Sequence, residues 1–264
     1  MRYILQLIPF FLTLSISAQK PDSWQGKQCA VVLTYDDGLN VDLTNAIPAL
    51  DSLGLKGTFY IADYFGRLEG QIPKWKLAAA KGHELANHTI FHPCMGGMPG
   101  REFVVPEYDL NNYTFRRLTE EIKAMNALLK AIDGKTKRTF AFPCNDTKLH
   151  DTPYIDRLKD EFIAARAVRS EMVSLAHTDL YDLPSYMING QSGDELIALV
   201  KEAMSRHSLL IFLFHGVGGD HALNVSLEAH SKLLHFLAQN RKIVWTAPMV
   251  DVAEYIRRYQ THKK

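Results

Sequence analysis

The sequence predicts an α/β fold of parallel βαβ units, either a barrel or a doubly wound sheet. Three observations carry that expectation. Apolar runs rich in β-forming residues alternate with segments of helical periodicity. Gly54, Gly82 and Gly134 stand where those helices should stop. The residues with chemical potential fall at the C-terminal ends of expected strands, the face on which barrel active sites are built.

In chain order, strands are expected at Ala30–Thr34, Gly57–Ile61, Thr139–Phe142, Phe162–Val168, Leu209–Phe214 and Lys242–Thr246. Helices are expected at Val41–Leu53, Pro73–Lys81, Thr119–Ile132, Tyr154–Glu161, Gly193–Ser205, Ser226–Gln239 and Val250–Arg258. Strands separated by single helices are the signature of parallel pairing, because a parallel neighbour needs a crossover. The longest irregular stretch runs from Pro93 to about Phe115 and holds Gly96-Gly97, Pro99-Gly100 and Pro106. A loop of that length usually serves a function or is disordered. Its Arg101, Phe103, Tyr108 and Tyr113 suit one wall of a binding cleft.

The chain has 264 residues, 47% hydrophobic and 22% charged, with a formal net charge of +1. That is enough apolar content for one substantial core, and single α/β barrels commonly reach this length. A near-neutral balance without a basic run argues against nucleic acid as a partner. Residues 1–18 read as a cleaved export signal. Arg2 precedes an apolar stretch, Tyr3–Ile16, interrupted by Gln6, Pro9, Thr13 and Ser15, and small Ser17-Ala18 precede Gln19. The stretch is too short and interrupted for a good membrane span, so no stable insertion is expected after cleavage. An uncleaved anchor and a buried first strand are the alternatives. Residues 19–264 then form one domain, in the periplasm or secreted.

An odd number of cysteines (Cys29, Cys94 and Cys144) permits at most one internal bridge. Cys94 lies two residues beyond His92, and Cys144 follows Pro143. If both segments line one site, their sulfurs are close enough to pair; otherwise all three are buried thiols.

Two segments concentrate the chemistry. Thr34-Tyr35-Asp36-Asp37-Gly38 ends the first apolar run, and His88-Thr89-Ile90-Phe91-His92 follows about fifty residues later. Adjacent carboxylates at the end of a buried strand are costly unless a metal or a proton neutralises them. Histidines four apart share a face if their segment makes a helical turn, so both can reach one ion. One aspartate and two histidines leave coordination positions open for water and substrate. The other aspartate is then free to act as a base. The bland reading makes Asp36-Asp37-Gly38 a helix-opening turn and the histidines solvent-facing. His215, ending Leu209–Phe214 before Gly216, is either a core residue or a proton donor at the barrel mouth. His221, on the loop after it, is a candidate substrate contact. The run Gly216-Val217-Gly218-Gly219 lacks the context of a phosphate loop, and Ser192 lacks a nucleophile elbow.

In their order and spacing these segments resemble the polysaccharide deacetylase family, the NodB-homology or carbohydrate esterase family 4 group. Its first motif, Thr-Phe-Asp-Asp-Gly, is matched by Thr34-Tyr35-Asp36-Asp37-Gly38, and its second, His-Ser/Thr-x-x-His, by His88–His92. Its last, Leu-x-His, is matched by Leu213-Phe214-His215. The similarity spans about Cys29 to Ile256. It implies a distorted (β/α) barrel of about seven strands and hydrolysis of an acetyl group, usually from an N-acetylated sugar. By position, Asp37, His88 and His92 would hold a divalent metal, commonly zinc. Cobalt, nickel and manganese suit the same donors. Asp36 would be the general base and His215 the general acid.

The middle motifs depart from the family. Arg-x-Pro-Tyr is replaced by Ala141-Phe142-Pro143-Cys144. Pro143 is kept, so the Cys144 N–H can still complete an oxyanion hole. The arginine that orients the base is missing at Ala141, and Arg138, Arg166 and Arg169 are candidate substitutes. The fourth motif, Asp-x-x-Asp-Trp, has no match near Ala164–Ser170. The expected activity is therefore a metal-dependent carbohydrate deacetylase, with an O-acetyl esterase or small-amide hydrolase as alternatives on the same site. A metal-holding carbohydrate-binding protein with little turnover is the rival of another class.

Overall fold

The computed structural model describes residues 23–262, so the expected export signal lies outside the described residues. A strongly curled, mostly parallel sheet organises them. Its strands are β1 (Cys29–Asp36), β2 (Thr58–Ile61), β3 (Glu84–Asn87), β4 (Thr139–Ala141) and β5 (Ala164–Arg166). The two-residue strands β6 (Val173–Ser174) and β7 (Tyr186–Met187) follow, then β8 (Ser208–Phe214) and β9 (Val244–Thr246). Seven strands lie along one path, β5-β4-β3-β2-β1-β8-β6, while β9 pairs with β1 and β7 with β8. Only β6 runs antiparallel to its neighbour. The segment leading into β7 joins the two ends, with Leu183 bridging to Arg166 and Tyr186 paired with Phe212. The result is a mixed α/β half-barrel, as the sequence predicts.

The alternation along β1 explains how its tip becomes a site. Val31, Leu33 and Tyr35 face one way, into a core shared with helices α1 (Ile47–Ser52), α2 (Ile72–Ala80), α3 (Phe115–Asp133), α4 (Gly193–Ser205) and α5 (Leu227–Gln239). Ala30 and Val32 face the other way and pack against α6 (Met249–His262), which closes the N-terminal end of the barrel. Asp36 belongs to this second, interior row. The row ends at the open, C-terminal mouth, where Asp36 lines a cavity.

Three expectations are corrected. Strand β3 was not legible, because its ends are polar and buried. Glu84 accepts from Thr58 Oγ1 (2.8 Å), Thr139 N (3.0 Å), Thr139 Oγ1 (2.8 Å) and Val250 N (2.9 Å), which stitches β2, β3, β4 and α6 together. The helix expected over Tyr154–Glu161 is only a short 3-10 turn, Tyr154–Arg157. The segment carrying His88 and His92 is not a helical turn: Thr89 (φ 65°) and His92 (φ 50°) are left-handed. The long irregular stretch is real, holding only two short 3-10 turns before α3 begins at Phe115. Among the described residues, no helix is long and apolar enough to cross a membrane.

Candidate active site

Asp37 follows β1 in a left-handed conformation (φ 76°), which swings its carboxylate back over the barrel mouth beside that of Asp36. His88 follows β3 directly and His92 comes after one irregular turn. Several hydrogen bonds hold that turn in place of helical ones. Asn87 Oδ1 accepts from Thr89 N (2.8 Å), and Thr89 Oγ1 accepts from His92 N (2.9 Å). Glu121 of α3 accepts from both Ile90 N (3.2 Å) and Phe91 N (2.9 Å) through one oxygen. Neither Asn87 nor Glu121 stood out in the sequence, since each acts on main-chain N–H groups through a contact the spacing does not reveal.

The turn brings His88 Nε2 to 3.6 Å and His92 Nε2 to 3.5 Å from Asp37 Oδ1. The outer nitrogens fix the tautomers. His88 Nδ1 lies 2.9 Å from the carbonyl of Ala141, which can only accept, so Nδ1 carries the hydrogen. His92 Nδ1 lies 3.4 Å from Cys94 Sγ, a disulfide sulfur with no hydrogen to give. Both Nε2 lone pairs therefore face Asp37. Burial, reinforced by the Arg166 charge, depresses the His88 pKa, which favours the neutral ring that a ligand must be. Burial pushes the Asp37 pKa up, but the imidazoles of His92, His215 and His88 outweigh it and hold the group below its ordinary value. Buried Asp36 Oδ1 and Asp37 Oδ1 have no hydrogen-bond partner among the described residues. Ligand atoms about 2.0–2.1 Å from one tetrahedral ion lie roughly 3.3–3.5 Å apart. The separations and the orphaned oxygens thus fit a divalent cation at Asp37, His88 and His92.

Of the three candidate arginines, only Arg166 meets Asp36. Its Nη2 donates to Asp36 Oδ2 at 2.5 Å, and Nη1 to Ser185 Oγ at 3.2 Å, with both members of the ion pair buried. The guanidinium also lies over the Tyr60 ring, 4.9 Å from its centre. Arg138 is spent on Asp133 and the Leu85 carbonyl, and Arg169 on Glu171 and Asp182 at the surface. The register explains the substitution: Ala141 of β4 pairs with Arg166 of β5. A guanidinium lost at one strand tip is supplied from the adjacent one.

A cavity of about 540 Å³ opens above this centre, with Asp36, Asp37, His88, His92, Cys144, His215 and His221 in its wall. Cys144 is left-handed (φ 52°) and bonded to Cys94. His215 is stacked on His221, with ring centres 4.6 Å apart and planes within 13°. Leu223 N donates to His221 Nδ1, which leaves Nε2 as the donor, 4.0 Å from Asp37 Oδ2. Burial lowers the His215 pKa against the opposing pull of Asp36 and Asp37. Pro143 is buried and shapes the turn without lining the cavity. Tyr108 stacks on Phe91 (centres 5.0 Å apart) and meets Tyr64 edge-on, beside the cavity wall rather than in it. Tyr113 does not suit a cleft wall: it is buried under the Arg117 guanidinium, 3.8 Å from the ring centre. Arg101 does not line the cavity either, being held by Asp146 and the Cys144 carbonyl, while Phe103 does.

Fold and site together define a parallel half-barrel with a metal-donor set at the carboxyl ends of its strands. Residues 25–155 match the family model for polysaccharide deacetylases, and the chain belongs to that family, the carbohydrate esterase family 4 or NodB-like group. Among solved structures it is similar to a Mycobacterium smegmatis protein assigned to the polysaccharide deacetylases, at 17% identity and a TM-score of 0.61, covering 92% of this chain and 93% of that one. It is also similar to the peptidoglycan deacetylase PdaC of Bacillus subtilis, at 15% identity and a TM-score of 0.53, covering 90% and 96%. A family 4 acetyl xylan esterase of Clostridium thermocellum, solved with a cobalt ion, shares 19% identity at a TM-score of 0.53, covering 84% and 89%. These likenesses establish the fold.

Proposed function

We propose that the protein is a metal-dependent deacetylase that hydrolyses the acetyl group of an N-acetylated carbohydrate. One observation carries this reading: Asp36, paired with Arg166, stands 3.9 Å from His88 beside the donor set and inside the same cavity as His215. A binding site needs a metal and a wall; it has no use for a buried carboxylate with its own guanidinium. Asp37, His88 and His92 would hold a divalent cation, which when bound would supply the Lewis acidity for the acyl carbonyl and the attacking water. Zinc is the first choice for this donor set. Asp36 takes the proton of the attacking water, and the Arg166 guanidinium holds the carboxylate in place. The Cys144 N–H donates to the oxygen on which charge develops. His215, whose protonated form the Asp36 and Asp37 carboxylates favour against the effect of burial, gives its proton to the leaving amine. His221 and the apolar wall face the sugar. The same steps serve an ester, with an alkoxide in place of the amine.

The Cys94–Cys144 bridge supports an oxidising compartment, and with it export directed by residues 1–18 ahead of a catalytic domain at 19–264. The test is acetate release by the zinc-loaded mature protein. The substrates are N-acetylglucosamine oligomers, peptidoglycan fragments, acetylated xylan and simple acetyl esters. Asp36→Asn should retain the metal and lose about 10²–10⁴-fold in kcat. Release that ignores Asp36→Asn would remove Asp36 from the chemistry, and no release from any substrate would overturn the deacetylase reading.

A further inference from the structure

The two histidines of the donor set are oriented by different acceptors. His88 Nδ1–H has a main-chain carbonyl, that of Ala141, fixed by the sheet. His92 Nδ1–H faces Cys94 Sγ at 3.4 Å, two residues along its own loop. The other half of the same disulfide is Cys144, which lines the cavity. Cys144 and Asn145 are consecutive non-glycine residues at positive φ (52° and 60°), a backbone conformation that persists only where its surroundings impose it. Three groups impose it. Asn145 clasps Val168 through N–H (2.7 Å) and C=O (3.3 Å), Arg101 Nη2 donates to the Cys144 carbonyl (3.0 Å), and the disulfide ties the turn to the His92 loop. The two segments are also tied by Met95 N–H donating to Asp146 Oδ2 (2.8 Å) and by Arg101, which donates to the Met95 (3.1 Å) and Cys144 carbonyls, but among these ties only the disulfide is covalent.

We propose that the Cys94–Cys144 disulfide is a positioning element of the active centre, one sulfur orienting the His92 imidazole and the other half-cystine setting the Cys144 N–H over the cavity. The partner of a ligand histidine's second nitrogen fixes its tautomer and ring plane, and losing that partner typically weakens metal binding about 10–100-fold. A backbone donor left free to drift loses part of its effect on the transition state while ground-state binding is little changed. The effect on turnover rests on the deacetylase reading; the effect on metal affinity does not.

The experiment compares the oxidised mature protein with two paired variants, Cys94→Ala/Cys144→Ala and Cys94→Ser/Cys144→Ala. Zn²⁺ affinity is read by chelator competition, and kcat and KM are read at saturating Zn²⁺. The alanine pair should bind Zn²⁺ about 10–100-fold more weakly. It should also lose about 10-fold or more in kcat, with KM within about twofold. The serine hydroxyl can accept the Nδ1–H, so the serine pair should recover most of the Zn²⁺ affinity and none of the kcat. A disulfide that merely staples the loop would move both variants alike. If the alanine pair does not fold, equal Zn²⁺ affinity in the serine pair and wild type, with kcat also unchanged, overturns the proposal. Unchanged affinity and kcat in a folded alanine pair overturn it directly. A wild type that binds Zn²⁺ yet releases no acetate overturns the deacetylase reading instead, and the affinity comparison still decides this one.

Discussion

Arg166 reaches Asp36 from the strand beside the one that carries Ala141, Nη2 to Oδ2 at 2.5 Å, with both side chains buried. The pair balances a charge that the barrel interior could not otherwise hold, and it aims the carboxylate at the donor set. Truncating one partner of such a buried pair leaves the other uncompensated. Arg166→Ala should therefore lose about 3–5 kcal/mol in urea titrations. It should also lose about 10²-fold in kcat, the scale of removing one preorganised electrostatic partner. Arg166→Lys keeps the charge but not the planar fork, and should fall between. A kcat unchanged in Arg166→Ala would leave Asp36 without need of a partner.

The donor set makes a separable prediction. Asp37→Ala or His88→Ala should abolish zinc binding and acetate release together, because two remaining ligands do not hold the ion. Metal content after dialysis and acetate release read the two effects independently. Full occupancy in either variant would refute the assignment of that residue.

Residue type, spacing and the family resemblance together singled out Asp36, Asp37, His88, His92 and His215, and the fold gathers all five around one cavity. Arg166 was legible only as one of three candidates. Its selection depends on the curl that sets β5 beside β4 and turns both tips inward, which no local pattern encodes. Strand β3 was hidden for the same reason: its ends are polar, Glu84 finding partners on β2, β4 and α6 and Asn87, on the opposite face, on α3. Tyr113 failed in the opposite sense. An aromatic in a long loop reads as exposed, yet here the loop folds back and buries it beneath Arg117.

His230 predicts a loss of stability in acid. It is buried, with its Nε2 2.8 Å from the Tyr35 hydroxyl oxygen. Burial pushes its pKa down to about 4. An unfolded histidine titrates near 6.5, so between those values the unfolded chain binds the extra proton. The contribution is full above about pH 6.5 and is lost as pH falls towards 4. His230→Gln keeps an acceptor for Tyr35 without a titrating group. Between pH 7 and 4.5, the wild type should lose about 2–3 kcal/mol more than this variant in urea titrations. Equal losses would place the acid sensitivity elsewhere.

Glu121 predicts an effect on the metal from outside the donor set. Its Oε1 accepts from Ile90 N and Phe91 N, two of the three N–H groups between the ligand histidines, where a helix would have satisfied them internally. Burial raises its pKa against the opposing pull of those bonds. Glu121→Gln keeps an acceptor oxygen and should bind zinc within a few-fold of wild type. Glu121→Ala leaves two partly buried donors without their acceptor, at up to about 1–3 kcal/mol each. The loop can recover them only by moving towards solvent, and His92 moves with it. Zinc affinity should fall about 10-fold or more, with His88 still in place. Chelator competition on both variants checks this, and an alanine variant that binds zinc as tightly as glutamine would mean the loop holds His92 without Glu121.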